Sequence, residues 1–412
     1  MTSFLALALA LQGAAVDPVP AVLKDISAPR IREKVERLVA FQTRNTFSET
    51  ESDVRGIGAA RRWIESELRA SSAAAGGRLE VKTLSSTRKK KDGTEVEVVD
   101  VYGFLPGRVK DPLGRTYLVC GHYDSMAGKA DDATSFAPGA DDDASGTAVV
   151  LELARVMSSR EFEANVVFLL VAGEEQGLWG SEAFAAFAEG EKLGLDGAIT
   201  NDIIGAVEGG TGAKNEKVVR CFSGGDGLQD PAHEFARSLF DAAKRQSPDT
   251  EVHLVFRLDR LGRGGDHIPF HKRGVPAIRL VEANEHYDRQ HKDVVEHVGD
   301  LPEYVSAEYS ARVARLNAAL LCDLALAPPA PTDVVLAGAH RYDTSLTWKP
   351  SAGAAGYVVV WRDTTSPTWQ QRSAILHETT VVLPVIADDR FFGVRAVDAL
   401  GHESRTSLPK QP

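Results

Sequence analysis

Pro138-Gly139-Ala140-Asp141-Asp142-Asp143-Ala144-Ser145-Gly146 sets three consecutive aspartates ahead of a helical run whose Val150, Leu153, Ala154 and Met157 share one face. Adjacent carboxylates repel one another unless something cationic neutralises them. The plain alternative is that Asp143 caps the helix while its neighbours are solvated or lie against the helix's positive end. The surroundings weigh against that alternative for the whole triplet. Upstream, residues 116–120 read as a strand that delivers Gly121-His122-Tyr123-Asp124 at its carboxyl end. Downstream, residues 166–172 are continuously apolar, as in a strand covered on both faces, and run straight into Gly173-Glu174-Glu175. Residues 198–206 form another strand-like run, interrupted by Asn201-Asp202. Strand, polar turn and helix alternate, which specifies an α/β fold with a mixed, mostly parallel sheet. In such sheets ligands lie outside the carboxyl ends of the strands, where these polar residues gather.

Outward from this centre the chain is less dense in signals. Its 412 residues suffice for a full α/β domain and one small companion. A formal net charge of −11 argues against a nucleic-acid partner. Cys120, Cys221 and Cys322 are too few and too scattered for a disulfide framework or a thiolate metal site. No run approaches the roughly 20 apolar residues of a membrane-spanning helix. Residues 1–15 resemble a signal peptide with cleavage near Ala15, although no basic residue precedes the apolar run; secretion or a periplasmic location is the expectation. Amphipathic helices follow on Ile31, Val35, Leu38 and Val39, then on Ile57, Ala60, Ile64 and Leu68. Two strand-like runs flank Arg88-Lys89-Lys90-Lys91-Asp92-Gly93, which reads as a solvated hairpin turn. Asp259 to Phe270 looks like a glycine-rich loop entering a helix, without the lysine and hydroxyl of a phosphate loop. A long helix over 302–326 closes the domain, and 327–331 is a stiff, proline-rich linker. From 332 to 412, short alternating runs with Trp348 and Tyr357 as core residues resemble a fibronectin type III sandwich, a candidate module for a surface, glycan or protein partner.

Five segments in order carry a more specific likeness: Gly121-His122-Tyr123-Asp124-Ser125, the triple-aspartate stretch, Gly173-Glu174-Glu175-Gln176-Gly177, Asn201-Asp202-Ile203-Ile204-Gly205 and Asp266-His267-Ile268-Pro269-Phe270. Together they resemble the co-catalytic di-zinc aminopeptidases, a family that includes secreted leucyl-type aminopeptidases, glutamate carboxypeptidases and glutaminyl cyclases. The resemblance implies a three-layer zinc-exopeptidase domain over 27–326 and two Zn2+ per chain. His122 and Asp202 would hold one ion, Glu175 and His291 the other, with Asp142 bridging them. Imidazole and carboxylate donors with open positions suit catalytic zinc. Asp124 would orient the His122 ring, and Glu174 would be the general base for a hydroxide shared by the metals. The family's last histidine usually stands before Thr/Ser-Pro; here the setting is Tyr287-Asp288-Arg289-Gln290-His291-Lys292-Asp293, with His286 and His297 as competitors. Relatives often carry a tyrosine ahead of the Asp266-His267 pair. This loop offers Arg260 and Arg263, either to stabilise an oxyanion and grip substrate or to brace the loop through salt bridges.

The implied activity is release of N-terminal residues from a peptide substrate. A carboxypeptidase or dipeptidase on the same metals would need a cation for the substrate's carboxylate, for which Arg279 or Arg263 could serve. Glutaminyl cyclisation usually needs one metal, so an apparently complete pair of ligand sets counts against it.

Overall fold

A computed structural model describes residues 16–108, 114–225, 227, 229–296 and 298–410. The leader-like residues 1–15 and His297 lie outside the described residues. Helices α1 (Val19–Asp25), α2 (Ala28–Val39) and α3 (Gly56–Ala74) come first, followed by the hairpin β1 (Glu80–Lys89) and β2 (Glu95–Leu105). The core alternation is β3 (Thr116–His122), α4 (Ala144–Met157), β4 (Asn165–Val171), α5 (Trp179–Gly190) and β5 (Leu195–Asn201). It continues with β6 (Val218–Ser223), α6 (Pro231–Gln246), β7 (Glu251–Val255), α7 (His267–His271), β8 (Ala277–Glu282) and α8 (Ala307–Leu326).

These eight strands form one mixed sheet in the order β1-β2-β4-β3-β5-β8-β6-β7. Its centre, β4-β3-β5-β8, is parallel, and both flanking neighbours, β2 and β6, run antiparallel to it. Alternation along β4 shows why two helical layers are needed. Val166, Phe168 and Leu170 pack into a core shared with α4 and α8, whereas Val167, Leu169 and Val171 face Phe184 of α5 and Phe270 of α7. Full burial of each such side chain stabilises by roughly 1.5–3 kcal/mol. Because β4, β3 and β5 are neighbours and parallel, the segments after Val171, around His122 and after Asn201 converge at one edge of the sheet.

Two boundaries differ from the sequence reading. The run expected over 198–206 is a strand from Leu195 to Asn201, so Asp202 stands just past its end, and Ile203 adopts φ 60°. The helix expected from 302 starts at Ala307: Pro302–Tyr304 is a separate short turn, and the Ser306 Oγ accepts the Tyr309 N–H as a cap.

Beyond residue 331, β9 (Thr332–Ala337), β10 (Thr344–Lys349) and β13 (Thr380–Leu383) form one antiparallel sheet. A second contains β11 (Gly356–Asp363), β12 (Gln371–Arg372) and β14 (Arg390–Val397). Val334, Leu346 and Trp348 from the first sheet meet Tyr357, Val359 and Phe392 from the second in a shared core. This region is fastened to the large sheet by charge. Arg395 of β14 reaches Asp241 of α6 at 2.7 Å and Glu403 at 2.9 Å. Asp196, near the start of β5, receives both Arg405 at 2.5 Å and the Tyr117 hydroxyl of β3 at 2.8 Å.

Candidate metal centre

The three aspartates of the opening stretch divide the work. Asp143 does cap α4: its Oδ1 accepts the Gly146 N–H at 2.8 Å, and its Oδ2 accepts the His122 N–H at 3.0 Å. Asp141 turns the other way and accepts the Gly205 N–H at 2.6 Å, which ties the loop after β5 to the start of α4. Asp142 alone points at imidazoles, with Oδ1 3.2 Å from His122 Nε2 and Oδ2 3.0 Å from His291 Nε2.

Two residues that the sequence reading missed hold this loop in place. Asp300 spans it from outside, its two carboxylate oxygens accepting the N–H groups of Asp141 and Asp142 at 2.8 and 2.7 Å. Arg44 is fully buried and donates to the carbonyls of Pro138, Gly139 and Tyr123 at 2.6, 2.8 and 2.8 Å. Burial pulls its pKa down to about 10 against the pull of Asp300 and Asp124. Gly139 is required here: its φ is 49°, and a Cβ would meet the Ser125 Cβ at 2.5 Å.

Among the described residues, two groups offer donor atoms within 4.8 Å of one another: His122, Asp142 and Asp202, and Asp142, Glu175 and His291. Asp142 is common to both. His291 Nε2 lies 2.9 Å from Glu175 Oε2, and His122 Nε2 lies 3.8 Å from Asp202 Oδ1. His286 belongs to neither group. The buried atoms His122 Nε2, Glu175 Oε1 and Asp202 Oδ1 have no hydrogen-bond partner among the described residues, although each is a potential metal donor. The electrostatics point the same way. Burial pulls the His291 imidazole down, but Glu175 and Asp142 outweigh it and raise its pKa to about 11. At His122 burial is likewise overridden, by Asp124, Asp142 and Asp202, and the pKa rises. Burial and the Asp142 charge push Glu175 up to about 7. Burial, with the charges of Asp202, Asp266 and Glu175, also raises Glu174, against the opposing pull of His122. Carboxylates packed this closely demand positive charge, and the donor set of imidazole nitrogen and carboxylate oxygen fits zinc.

Asp124 sits beneath the ligands. Its backbone carbonyl is 3.2 Å and its Oδ1 3.5 Å from His122 Nδ1, while its carboxylate accepts the N–H groups of Glu174 and Glu175 at 3.3 and 3.2 Å. It therefore steadies the β4 loop as well as the ring. Asp202 Oδ2 pairs with Arg279 Nη2 at 2.6 Å, which leaves Oδ1 directed at His122.

A cleft of about 380 Å³ opens over Asp142, Glu174, Glu175, Asp202 and His291, with Arg260, Arg263 and Arg279 on its far wall. All three arginines are engaged. Arg260 meets Glu285 at 2.8 Å and Asp259 at 3.0 Å; Arg263 meets Glu285 at 2.6 Å and Gln290 at 3.0 Å. Arg279 is held by Asp202, Asp259 and the Gly264 carbonyl. Asp266 and His267, the pair from the fifth of the family-like segments and candidates for contact with substrate or oxyanion, are not on the cleft wall. Both are buried, and His267 Nε2 faces the Leu258 carbonyl at 2.6 Å, so the pair packs α7 beneath its loop.

Residues 100–320 match the model of peptidase family M28. The chain belongs to that family. This M28 peptidase is 38% identical to a protein of Pyricularia oryzae named "Probable zinc metalloprotease", over 94% of this chain and 84% of the other. Its fold is shared with the LapA aminopeptidase of Legionella pneumophila (TM-score 0.58, 19% identity, 79% of this chain and 80% of that one). It is shared also with a glutaminyl cyclase of Porphyromonas gingivalis (TM-score 0.54, 17% identity, 72% and 98%). The peptidase's fold therefore does not choose between those two reactions.

Proposed function

We propose that this chain is a zinc-dependent exopeptidase that removes N-terminal residues from peptides. The observation that carries the reading is Asp142, whose two oxygens face imidazoles of two separate donor groups at 3.2 and 3.0 Å. His122 and Asp202 would hold one zinc, Glu175 and His291 the other, and Asp142 would bridge them. When bound, such ions supply Lewis acidity, lowering the pKa of water and polarising the scissile carbonyl. The protein's own part is proton transfer and positioning. Glu174 lines the cleft beside the ligands without belonging to either donor group, so its carboxylate is free to take the proton of the attacking water and pass it to the leaving amine. Asp124 fixes Glu174 from below through its peptide N–H.

Two donor groups support a two-metal hydrolase over glutaminyl cyclisation. The pairing of Arg260, Arg263 and Arg279 with internal acids weighs against a carboxypeptidase, which needs a free cation beside the metals for the substrate's carboxylate. The zinc metalloprotease and aminopeptidase names of the relative and the structural neighbour accord with this reading. The β-sandwich beyond residue 331 we read as a fibronectin type III-like module.

Three substrates separate the alternatives: an aminoacyl p-nitroanilide, its N-acetylated form and an N-terminal glutaminyl peptide. The first should turn over, the second should not, and the third should give free glutamine and no pyroglutamyl peptide, with activity lost to a chelator and restored by zinc. Glu174→Gln should lower kcat by about 10²–10⁴-fold while zinc content, read by plasma mass spectrometry, stays at the wild-type level. Loss of zinc in that variant would mean that the roles of Glu174 and Glu175 are exchanged.

A further inference from the structure

We infer that the lysine-rich turn between β1 and β2 forms a subsite for the substrate's carboxylates on the C-terminal side of the cleaved bond, so that acidic peptides are preferred. The inference rests on the exopeptidase reading above and extends it to substrate class. The turn is a solvated hairpin, as the sequence suggested, with Lys89 and Lys91 exposed, but it does not project away from the site. Instead Lys89, Lys90 and Lys91 share a groove of about 820 Å³ with Lys129 and Glu175. Glu175 also lines the metal cleft, so the two cavities adjoin at a proposed ligand.

The groove's walls are anchored. Arg88 donates to the Trp179 carbonyl at 2.8 Å and pairs with Glu182 at 3.4 Å, which docks the hairpin on α5. Gln176, one residue past Glu175, donates to the Ala130 carbonyl at 2.9 Å and brings Lys129 to the opposite side. Phe47 and Trp179 supply an aromatic floor, with ring centroids 5.9 Å apart, and Lys90 Nζ sits 3.9 Å from the Phe47 centroid.

Charge separates the two cavities. The arginines of the small cleft are matched by Asp259, Glu285 and Asp202. Lys91 and Lys129 form no ion pair with any described residue, and Lys89 has only the exposed Glu95 at 3.5 Å. In the groove four ammonium groups face three carboxylates, Asp92, Asp131 and Glu175, an excess of one positive charge. In a chain of net charge −11, this local excess is directed at an anion. Shape supplies the polarity of binding. An enzyme that removes one residue needs a confined pocket for that residue and an open path for the rest of the peptide. The smaller cleft provides the first and the groove the second; its volume lies within the range of ligand sites. The remainder of a peptide carries its terminal carboxylate and any acidic side chains.

The test uses the zinc-loaded full-length chain and peptides sharing the same first two residues. One set carries glutamates at the third to fifth positions and one carries alanines, each as free acid and as C-terminal amide. At low ionic strength kcat/KM for the glutamate set should exceed the alanine set by about tenfold, with the margin shrinking in salt, as surface charge pairs require. Lys91→Ala/Lys129→Ala should bring that ratio to within about twofold of unity, and the free-acid and amide arms show whether side-chain or terminal carboxylates are read. Equal hydrolysis of all peptides by the wild type, or a preference that survives in the double variant, would overturn the subsite. Anisotropy binding of fluorescein-labelled glutamate and alanine peptides to the Glu174→Gln protein provides a readout without turnover: equal affinities overturn the subsite. Failure to cleave an aminoacyl p-nitroanilide would instead count against the exopeptidase reading, so the two failures are distinct.

Discussion

Two buried ionic networks in this molecule look alike by composition and differ in how they close. Around Arg395, 3% exposed, every nitrogen has a partner: Thr406 at 2.8 Å, Glu403 at 2.9 Å and Asp241 at 2.7 Å. Glu403 in turn spends its other oxygen on Arg372 at 2.8 Å. Around Asp142 the charges are packed as tightly, yet His122 Nε2, Glu175 Oε1 and Asp202 Oδ1 make no hydrogen bond among the described residues. The first network is saturated and joins the C-terminal sheets to α6. The second is complete only with something added. Burial of charge alone marks neither structure nor function; unsatisfied donor atoms facing a cleft do.

The contrast can be broken most sharply at Asp142. Asp142→Ala removes the group shared by both donor sets and should lower peptidase activity more than thousandfold, with zinc content falling well below wild type by plasma mass spectrometry. Arg395→Ala should do the reverse. It leaves Asp241 and one oxygen of Glu403 without their arginine and should cost about 3–5 kcal/mol in urea unfolding, with the KM for an aminoacyl substrate unchanged. Asp300→Asn lies between, because it keeps the shape of a side chain that orients a ligand and loses one acceptor. Zinc affinity, measured by chelator competition, should weaken about 10–100-fold. The smallest effect should come from acid. Burial raises the Glu403 carboxyl, but Arg395, Arg245 and Arg372 outweigh it and hold its pKa at about 2. A depressed folded-state pKa contributes stability above the unfolded value near 4.5, lost as pH falls toward 2. Glu403→Gln should therefore flatten the thermal stability profile between pH 4.5 and 2 relative to wild type.

The sequence exposed the candidate site residues more readily than their supports. His122, Glu174, Glu175 and Asp202 stand at or just past the ends of apolar strands, so an apolar run broken by polar residues identifies them. Asp300 and Arg44 have no such frame. Each is a single charged residue in irregular chain, and Asp300 meets Asp142 across 158 positions of sequence, a contact no local period encodes. The arginines of the 260 loop were open between gripping substrate and bracing, because their partner Glu285 lies 25 and 22 positions away. The lysine turn was legible as a hairpin but not as a wall, since its placement depends on Arg88 reaching α5. Strand β9 went unread beside the prolines of the linker.

Asp196 joins Arg405 to the first residues of β5 and, through Tyr117, of β3. From Asp196 to Asn201 the chain climbs roughly 17 Å. The C-terminal sheets therefore grip the large sheet by its heel, with the candidate metal centre at the toe. A resin linkage or reporter fusion attached at that end would act as a handle and leave the mouth open to peptides.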